Sequence, residues 1–257
     1  MNLQCLFRRR MLCALVVPLL AFTVQAQEAF NVKEHYTKAE YQISMRDGVK
    51  LFTSVYVPKD ASQKYPMIMQ RTPYSVAPYG PDNYRGQLGP SPLFAKEGFI
   101  FVYQDVRGRN MSEGDFAWMR PFKPKKASAT DADETTDTWD TIEWLLKNIP
   151  NNNGRVGMWG ISYPGHYSAQ ALIDPHPALK AVSPQAPMAD NWLGDDMHHN
   201  GALFLPHAFN FIINFGRPRT GPGVAQFSRF DHGTADGYKF FLEMGALPNA
   251  QKYMKNE

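Results

Sequence analysis

Apolar and polar positions alternate over Tyr41-Gln42-Ile43-Ser44-Met45, and β-branched residues recur over Lys50 to Val57, with Asp47-Gly48 between the two runs. Two runs of period-two character joined by a turn dipeptide predict a β-hairpin. Met67-Ile68-Met69-Gln70 and Phe99 to Gln104 are short apolar runs that predict buried strands. The first closes at Arg71-Thr72-Pro73-Tyr74, the second at Asp105-Val106-Arg107-Gly108-Arg109. A loop rich in Pro, Gly and Tyr is expected over 73–92, and a polar loop without internal pattern over 110–130. Trp139, Ile142, Leu145 and Ile149 then recur at helical spacing, and Leu146 widens the stripe. Acidic residues from Asp131 to Asp140 crowd the start of this helix, as its dipole favours. Pro150 and the Asn151-Asn152-Asn153-Gly154 turn end it. Arg155 to Trp159 predicts another buried strand, 163–172 a helix, and Leu179 to Ser183 a further strand. Such alternation argues an α/β protein with a parallel, helix-covered sheet.

From Pro184 onward the pattern changes. Met, Phe, Asn, His and Gly dominate, and strand-like runs are absent. Residues 202–215 are apolar and helix-like, 216–223 are interrupted by Pro and Gly, and 237–256 leave room for one more helix. This reads as a helical cap over 184–257, following an α/β core over 27–183 whose first ten or so residues form a tail.

The beginning of the chain reads as an export signal. Arg8-Arg9-Arg10 precede an apolar stretch from Met11 to Val24, and Val24-Gln25-Ala26 offers small residues for cleavage after Ala26. The stretch is too short to span a bilayer comfortably. A periplasmic or secreted protein, free of the membrane once 1–26 is removed, is the expectation. Both cysteines, Cys5 and Cys13, lie in this leader. The rest of the chain thus offers no disulfide and no thiol nucleophile.

Composition narrows the class further. Hydrophobic residues make up 44% and charged residues 20% of the 257, which excludes a disordered chain. The net charge is +3, but Lys and Arg are scattered, which argues against a nucleic-acid surface.

The most informative segment is Gly160-Ile161-Ser162-Tyr163-Pro164-Gly165, read as a nucleophile elbow of the G-x-S-x-G type. A strand before it and a helix after it would lift the serine hydroxyl at the carboxyl end of the sheet. A serine nucleophile needs a base and an orienting acid, which in this arrangement follow the serine in chain order. Asp174, Asp190, Asp195, Asp196, Asp231 and Asp236, with His176, His198, His199, His207 and His232, are present, but none follows a convincing strand. No base is assigned. His198, His199 and His207 lack partners at a metal-ligand spacing, so neither a metal nor a cofactor is expected. Asp105, Arg107 and Arg109 read as a structural charge network. Trp192, Phe204, Phe209 and Phe211 read as cap-building aromatics that also suit an acyl pocket.

Taken together, Arg71-Thr72-Pro73-Tyr74, Asp105-Val106-Arg107-Gly108, Gly157 to Gly165 and Asp174-Pro175-His176-Pro177-Ala178-Leu179 resemble the Xaa-Pro dipeptidyl-peptidase-like (CocE/NonD) hydrolases. Within that family the likeness is to the α-amino-acid ester hydrolases and glutaryl-7-aminocephalosporanic acid acylases. The resemblance implies an α/β-hydrolase core, an inserted helical cap and a C-terminal jelly roll. It places the family's acid and His beyond Glu257, so the chain reads as an N-terminal portion without the later strands or jelly roll. By position, Ser162 matches the nucleophile and Tyr163 the residue whose backbone N–H receives the oxyanion. Tyr74 matches the hydroxyl that donates alongside it, and Asp196 matches one carboxylate that holds a substrate α-ammonium. Each has a plainer reading: Tyr74 as a packing aromatic, Asp196 as the acid of a helix N-terminus.

The function implied is a serine hydrolase that forms an acyl-enzyme on small-molecule esters, amides or peptides of α-amino-acid or β-lactam-type acyl groups. An Xaa-Pro dipeptidyl-peptidase, a general carboxylesterase, or an inactive fragment lacking the acid and His are the alternatives. A homo-oligomer is left open.

Overall fold

The computed structural model describes residues 30–191, 193–213, 215, 219–224 and 230–253. The expected leader over 1–26 and Trp192 lie outside the described residues. Strands β1 (Tyr36–Ser44) and β2 (Lys50–Pro58) form the predicted hairpin, in register from Tyr36 opposite Pro58 to Ser44 opposite Lys50. Its turn closes through Met45 N–H to the Val49 carbonyl at 2.8 Å, with Gly48 in the left-handed region at φ 86°. Strands β3 (Tyr65–Thr72), β4 (Ile100–Asp105), β5 (Asn152–Ile161) and β6 (Leu179–Gln185) complete a six-stranded sheet in the order β1-β2-β4-β3-β5-β6.

The sheet is mixed. β4, β3, β5 and β6 are mutually parallel, whereas β2 runs antiparallel to both β1 and β4. The parallel expectation therefore holds for only part of the sheet. A strand pair joined by a tight turn can only be antiparallel, while strands joined through a helix return parallel.

Side chains alternate between two buried layers, as the pleat requires. Met67 and Met69 of β3, Leu51 and Val55 of β2, and Ile100 and Val102 of β4 share one core with Ile142, Leu145, Tyr163 and Tyr167. Ile68, Phe52, Tyr56, Phe101 and Tyr103 point to the other, packing with Tyr36, Val76, Leu88 and Ala95. The first layer is covered by helices α3 (Glu134–Asn148) and α4 (Tyr163–Gln170). Asp133 caps α3, accepting from Thr135 N–H and Thr136 N–H, and the Thr136 hydroxyl accepts the Asp133 N–H in return.

Four elements escape the periodicity. Of the expected tail, residues 30–36 are structured: α1 (Val32–His35), capped by Asn31, leads into Tyr36, whose hydroxyl donates to the Ala95 carbonyl at 2.8 Å in the buried second layer. α2 (Pro92–Glu97) lies between the long loop and β4. It is too short to show a stripe, but Ser91 at the cap, Pro92 in the first turn and Gly98 at φ 86° are its start and stop signals. After Gln185, β7 (His198–His199) and β8 (Ala202–Leu203) pair antiparallel, a two-residue ladder below the reach of any pattern.

Helices α5 (Leu205–Ile212) and α6 (Gly237–Met244) follow, with a 3-10 turn at Leu247–Lys252. They carry their own apolar cluster of Phe209, Ile213, Phe230, Phe240, Phe241, Met244 and Ala250. Of the aromatics singled out from sequence, Phe209 is buried here and Phe204 is exposed.

A charge network ties the strand ends beneath the site. Fully buried Arg71 donates to Gln104 Oε1 at 2.8 Å, and to Glu134 Oε2 and the Glu134 carbonyl at 3.0 Å. Arg107 bridges Asp137 at 2.7 Å and Asp47 at 2.6 Å, linking β4, α3 and the hairpin turn. Among the described residues no helix is long and apolar enough to cross a membrane.

Candidate active site

β5 ends at Ile161 and α4 begins at Tyr163, leaving Ser162 alone to make the turn. It does so at φ 61°, ψ −125°, a region that costs a non-glycine residue about 1–3 kcal/mol. The surroundings fix it there. Ser162 N–H donates to the Gln185 carbonyl of β6 at 2.9 Å, and His166 N–H donates to the Ser162 carbonyl at 3.0 Å.

The glycines around the turn are imposed by packing. A Cβ on Gly160 would stand 2.2 Å from the Pro164 carbonyl, and one on Gly165 would stand 2.4 Å from the Gln185 carbonyl oxygen. The motif therefore departs from strict G-x-S-x-G. Pro164 holds the position two residues after the serine, and the second glycine comes one residue later, where α4 crosses β6.

Tyr163 opens α4. First-turn N–H groups have no acceptor within their own helix, and Pro164 has no N–H to offer, so Tyr163 contributes the first such donor. Its ring is fully buried and its hydroxyl accepts Met119 N–H at 2.9 Å. Burial pushes its pKa up to about 12.

Tyr74 sits in the loop after β3, with its N–H donating to the Thr72 hydroxyl at 3.1 Å. Its ring meets Tyr163 edge-on at 6.4 Å and Phe215 at 6.0 Å. The Ser162 side chain lies close enough to the Tyr74 hydroxyl to lower its pKa. Burial raises the Tyr74 pKa most, the Ser162 contact lowers it, and the Asp196 charge raises it, with a net upward shift. Tyr74 thus keeps its proton at neutral pH and can donate it in a hydrogen bond. Asp196 is exposed, on a turn ahead of β7. No helix begins there, so the plainer reading of this acid as a helix cap does not hold.

The structure thus brings Ser162, Tyr163 and Tyr74 together, with Asp196 near enough for its charge to act on Tyr74. Of the histidines, His166 approaches Tyr163, ring to ring at 6.0 Å. Among the described residues, no histidine side chain hydrogen-bonds Ser162. His166 is buried, which lowers its pKa, and faces Gln170 at 3.4 Å. His176 pairs with Glu143 at 2.8 Å, and His198 Nδ1 lies 2.5 Å from the Asn191 carbonyl. His199 and His207 stack on Phe204 and Phe211, and His232 sits among the phenylalanines of the α5–α6 cluster. Of the candidate acids, Asp236 caps α6, Asp231 accepts Gly233 N–H and Asp190 accepts Leu193 N–H. Among the described residues no group of three or more His, Cys, Asp or Glu is placed to hold a metal ion.

Two features of the site were not read from sequence. Phe215 stacks on Tyr163 at 6.0 Å and on Phe116 at 5.6 Å, and Trp118 lies 5.2 Å from Tyr163, so an aromatic wall flanks the elbow. These residues come from segments without periodicity, and only Tyr163 belongs to a motif. The other feature is the set of bonds that Asp105 makes to the Tyr74 loop. The sequence marked Asp105 as structural but did not say which segment it holds.

With this geometry in place, comparison with known proteins is informative. The profile of the family described as X-Pro dipeptidyl-peptidase (S15 family) matches residues 47–223. Cocaine esterase from Rhodococcus sp. (strain MB1 Bresler) is 32% identical over 161 residues, covering 63% of this chain and 25% of the esterase. The solved structure of a selenomethionine-labelled α-amino acid ester hydrolase superposes with a TM-score of 0.71 at 35% identity, over 92% of this chain and 38% of that one. An aminopeptidase from the marine sediment archaeon Thaumarchaeota archaeon gives 0.72 at 34% identity, over 91% of this chain and 38% of that one. The chain spans about a quarter of the esterase's length. Its sheet is that of the α/β-hydrolase fold.

Proposed function

The chain belongs to the X-Pro dipeptidyl-peptidase (S15) family, and from that premise we propose that it is a serine hydrolase whose Ser162 accepts the acyl group of an ester or amide. Ser162 Oγ attacks the carbonyl carbon, and the carbonyl oxygen takes the negative charge. Tyr163 N–H and the Tyr74 hydroxyl receive that charge as it develops, where each donor is worth about 3–4 kcal/mol. The C–O or C–N bond then breaks, the leaving group departs with a proton, and water releases the acyl group from Ser162. The observation that carries this reading is a serine held at φ 61° at the strand–helix turn, with its side chain close enough to the Tyr74 hydroxyl to lower that group's pKa.

Asp196 narrows the substrate. Its charge is felt at Tyr74, beside the reacting serine. A carboxylate so placed suits the ammonium of an α-amino acyl group, since a cation entering a site needs a partner. An α-amino-acid ester and the N-terminus of a peptide present the same ammonium, so an esterase and a dipeptidyl-peptidase are both served. We take 184–257 as a cap over this site and the protein as exported to the periplasm or medium.

A second reading follows from the absence, among the described residues, of a histidine side chain hydrogen-bonded to Ser162. The protein would then accept an acyl group or bind ligand without turning over. One assay separates the readings: hydrolysis of p-nitrophenyl acetate, an α-amino-acid p-nitrophenyl ester and an Xaa-Pro p-nitroanilide, in the protein and in its Asp196→Asn variant. Turnover with KM for the amino ester raised in Asp196→Asn, and KM for the acetate unmoved, supports the proposal. Equal effects on both esters remove the ammonium role. A single stoichiometric burst without turnover supports the second reading.

A further inference from the structure

Tyr74 can donate to an oxyanion only if its loop is held still, and the bonds that hold the loop converge on one side chain. Asp105 is the last residue of β4 and is fully buried. Its Oδ1 accepts Val76 N–H at 3.0 Å and Asn110 Nδ2 at 3.4 Å, and its Oδ2 accepts the Tyr79 hydroxyl at 2.9 Å and Met111 N–H at 3.3 Å. Two of these donors, Val76 and Tyr79, lie in the loop just after Tyr74. The other two lie in the turn after Asp105.

That turn reaches back to the residue just before Tyr74. Arg109 Nε donates to the Pro73 carbonyl at 3.0 Å, and Asn110 Nδ2 lies 3.4 Å from the same oxygen. The turn is closed by Ser112, whose hydroxyl donates to the Asp105 carbonyl at 2.6 Å. Tyr74 is therefore pinned on both flanks, at Pro73 and at Val76, by the Asp105 carboxylate and the turn it organises.

We infer that Asp105 is a positioning residue of the acyl-transfer site, holding the 73–79 loop so that the Tyr74 hydroxyl stands opposite Ser162. The inference rests on the proposed role of Tyr74. The carboxylate is specifically suited to the task. All four converging groups are donors, and only a carboxylate offers acceptors on both oxygens. Asparagine has the same shape but would aim an N–H at one pair of donors. An unmatched buried donor pair makes the loop move, and a displacement of about 1 Å at a catalytic group costs about a hundredfold in rate.

The test uses the whole chain and two readouts. The rate of Ser162 phosphonylation by a fluorophosphonate is measured in the wild type, Asp105→Asn, Tyr79→Phe, Tyr74→Phe, and Tyr74→Phe combined with Asp105→Asn. Fluorine NMR of 3-fluorotyrosine placed at position 74 reports the loop without requiring any reaction. Asp105→Asn is expected to slow phosphonylation about a hundredfold, Tyr79→Phe to slow it less, and Asp105→Asn to add nothing in the Tyr74→Phe background. The fluorine resonance is expected to shift and broaden in both Asp105→Asn and Tyr79→Phe. An equal slowing by Asp105→Asn with and without the Tyr74 hydroxyl overturns the inference, as does an unchanged resonance in the two variants. If Asp105→Asn does not fold, Tyr79→Phe decides the matter. If the wild type forms no adduct at Ser162, it is the hydrolase reading that fails, and the resonance alone still decides whether Asp105 places Tyr74.

Discussion

Gly165 of the elbow helix lies against the carbonyl oxygen of Gln185 on the neighbouring strand, with 2.4 Å available where a Cβ would need well over 3 Å. α4 is thereby brought close to β6, and that closeness lets Ser162 N–H reach the same Gln185 carbonyl at 2.9 Å. The serine's strained backbone is thus a consequence of how tightly one helix crosses one strand.

Substitution of Gly165 by Ala is expected to destabilise the protein by about 3 kcal/mol or more, because the obstacle is backbone that cannot swing aside. Gly157→Ala is the matched control. Its Cβ would meet only ordinary contacts at 3.8 Å and 3.9 Å. Urea melts of the two variants should differ accordingly; equal midpoints would refute the packing argument.

Tyr74→Phe keeps the ring contacts to Tyr163 and Phe215 and removes only the hydroxyl. Reaction at Ser162 should slow about 10²- to 10³-fold, with the thermal midpoint little changed. A slowing matched by a large drop in stability would instead mark Tyr74 as a packing residue.

Arg71 should be indispensable to stability. Burial pushes the Glu134 carboxyl up, and Arg71 is foremost among the groups that oppose the shift. Arg71→Met leaves that buried acid with only Arg120, 3.7 Å away, to balance it and is expected to cost about 3–5 kcal/mol. Adding Glu134→Gln removes the stranded charge, so the double variant should recover part of the loss. Chemical denaturation of the three proteins checks this, and a double variant less stable than Arg71→Met would contradict it.

Two buried aspartates should give the acid limb opposite slopes. At Asp133, burial opposes the charge, but Lys126, the Thr135 hydroxyl and the amides of Lys123 and Thr136 outweigh it, holding the carboxyl well below its ordinary range. A depressed carboxylate contributes stability above its unfolded pKa of about 3.9, and that stability is lost as pH falls further. At Asp105, burial dominates and pushes the pKa up to about 6, despite Tyr79, Met111, Val76 and Asn110. Folding there takes up a proton, so its contribution is present below about pH 3.9 and is lost as pH rises to about 6. Asp133→Asn should flatten the fall in stability below about pH 4, and Asp105→Asn should remove a decline between about pH 4 and 6. Urea midpoints measured across this range, with slopes of the opposite sign or no change, would contradict the assignment.

Much of this architecture could be read from residue pattern alone. Met67-Ile68-Met69 and Phe99 to Gln104 are continuous apolar runs because both faces of β3 and β4 are buried, and the α3 stripe is a true 3.6-residue repeat. The antiparallel pairing of β2 with β4 could not be read, since register between distant strands leaves no mark on either one. α2 was missed because six residues carry too little periodicity.

At the site, Ser162 and Tyr74 stood in recognisable motifs. That their side chains come near one another depends on how two loops close. The work of Asp105 depends on closure too: its donors lie at Val76, Tyr79, Asn110 and Met111, in segments whose sequence has no repeat. Phe215 and Trp118 enter the site the same way.

The central claim is that Ser162 is presented for acyl attack with Tyr74 as its donor. Intact-mass and peptide-mapping analysis after reaction with an alkyl fluorophosphonate tests it most directly. The account predicts one adduct per chain, on Ser162, absent in Ser162→Ala and formed far more slowly in Tyr74→Phe. An adduct on another residue, none at all, or a rate indifferent to the Tyr74 hydroxyl would contradict it.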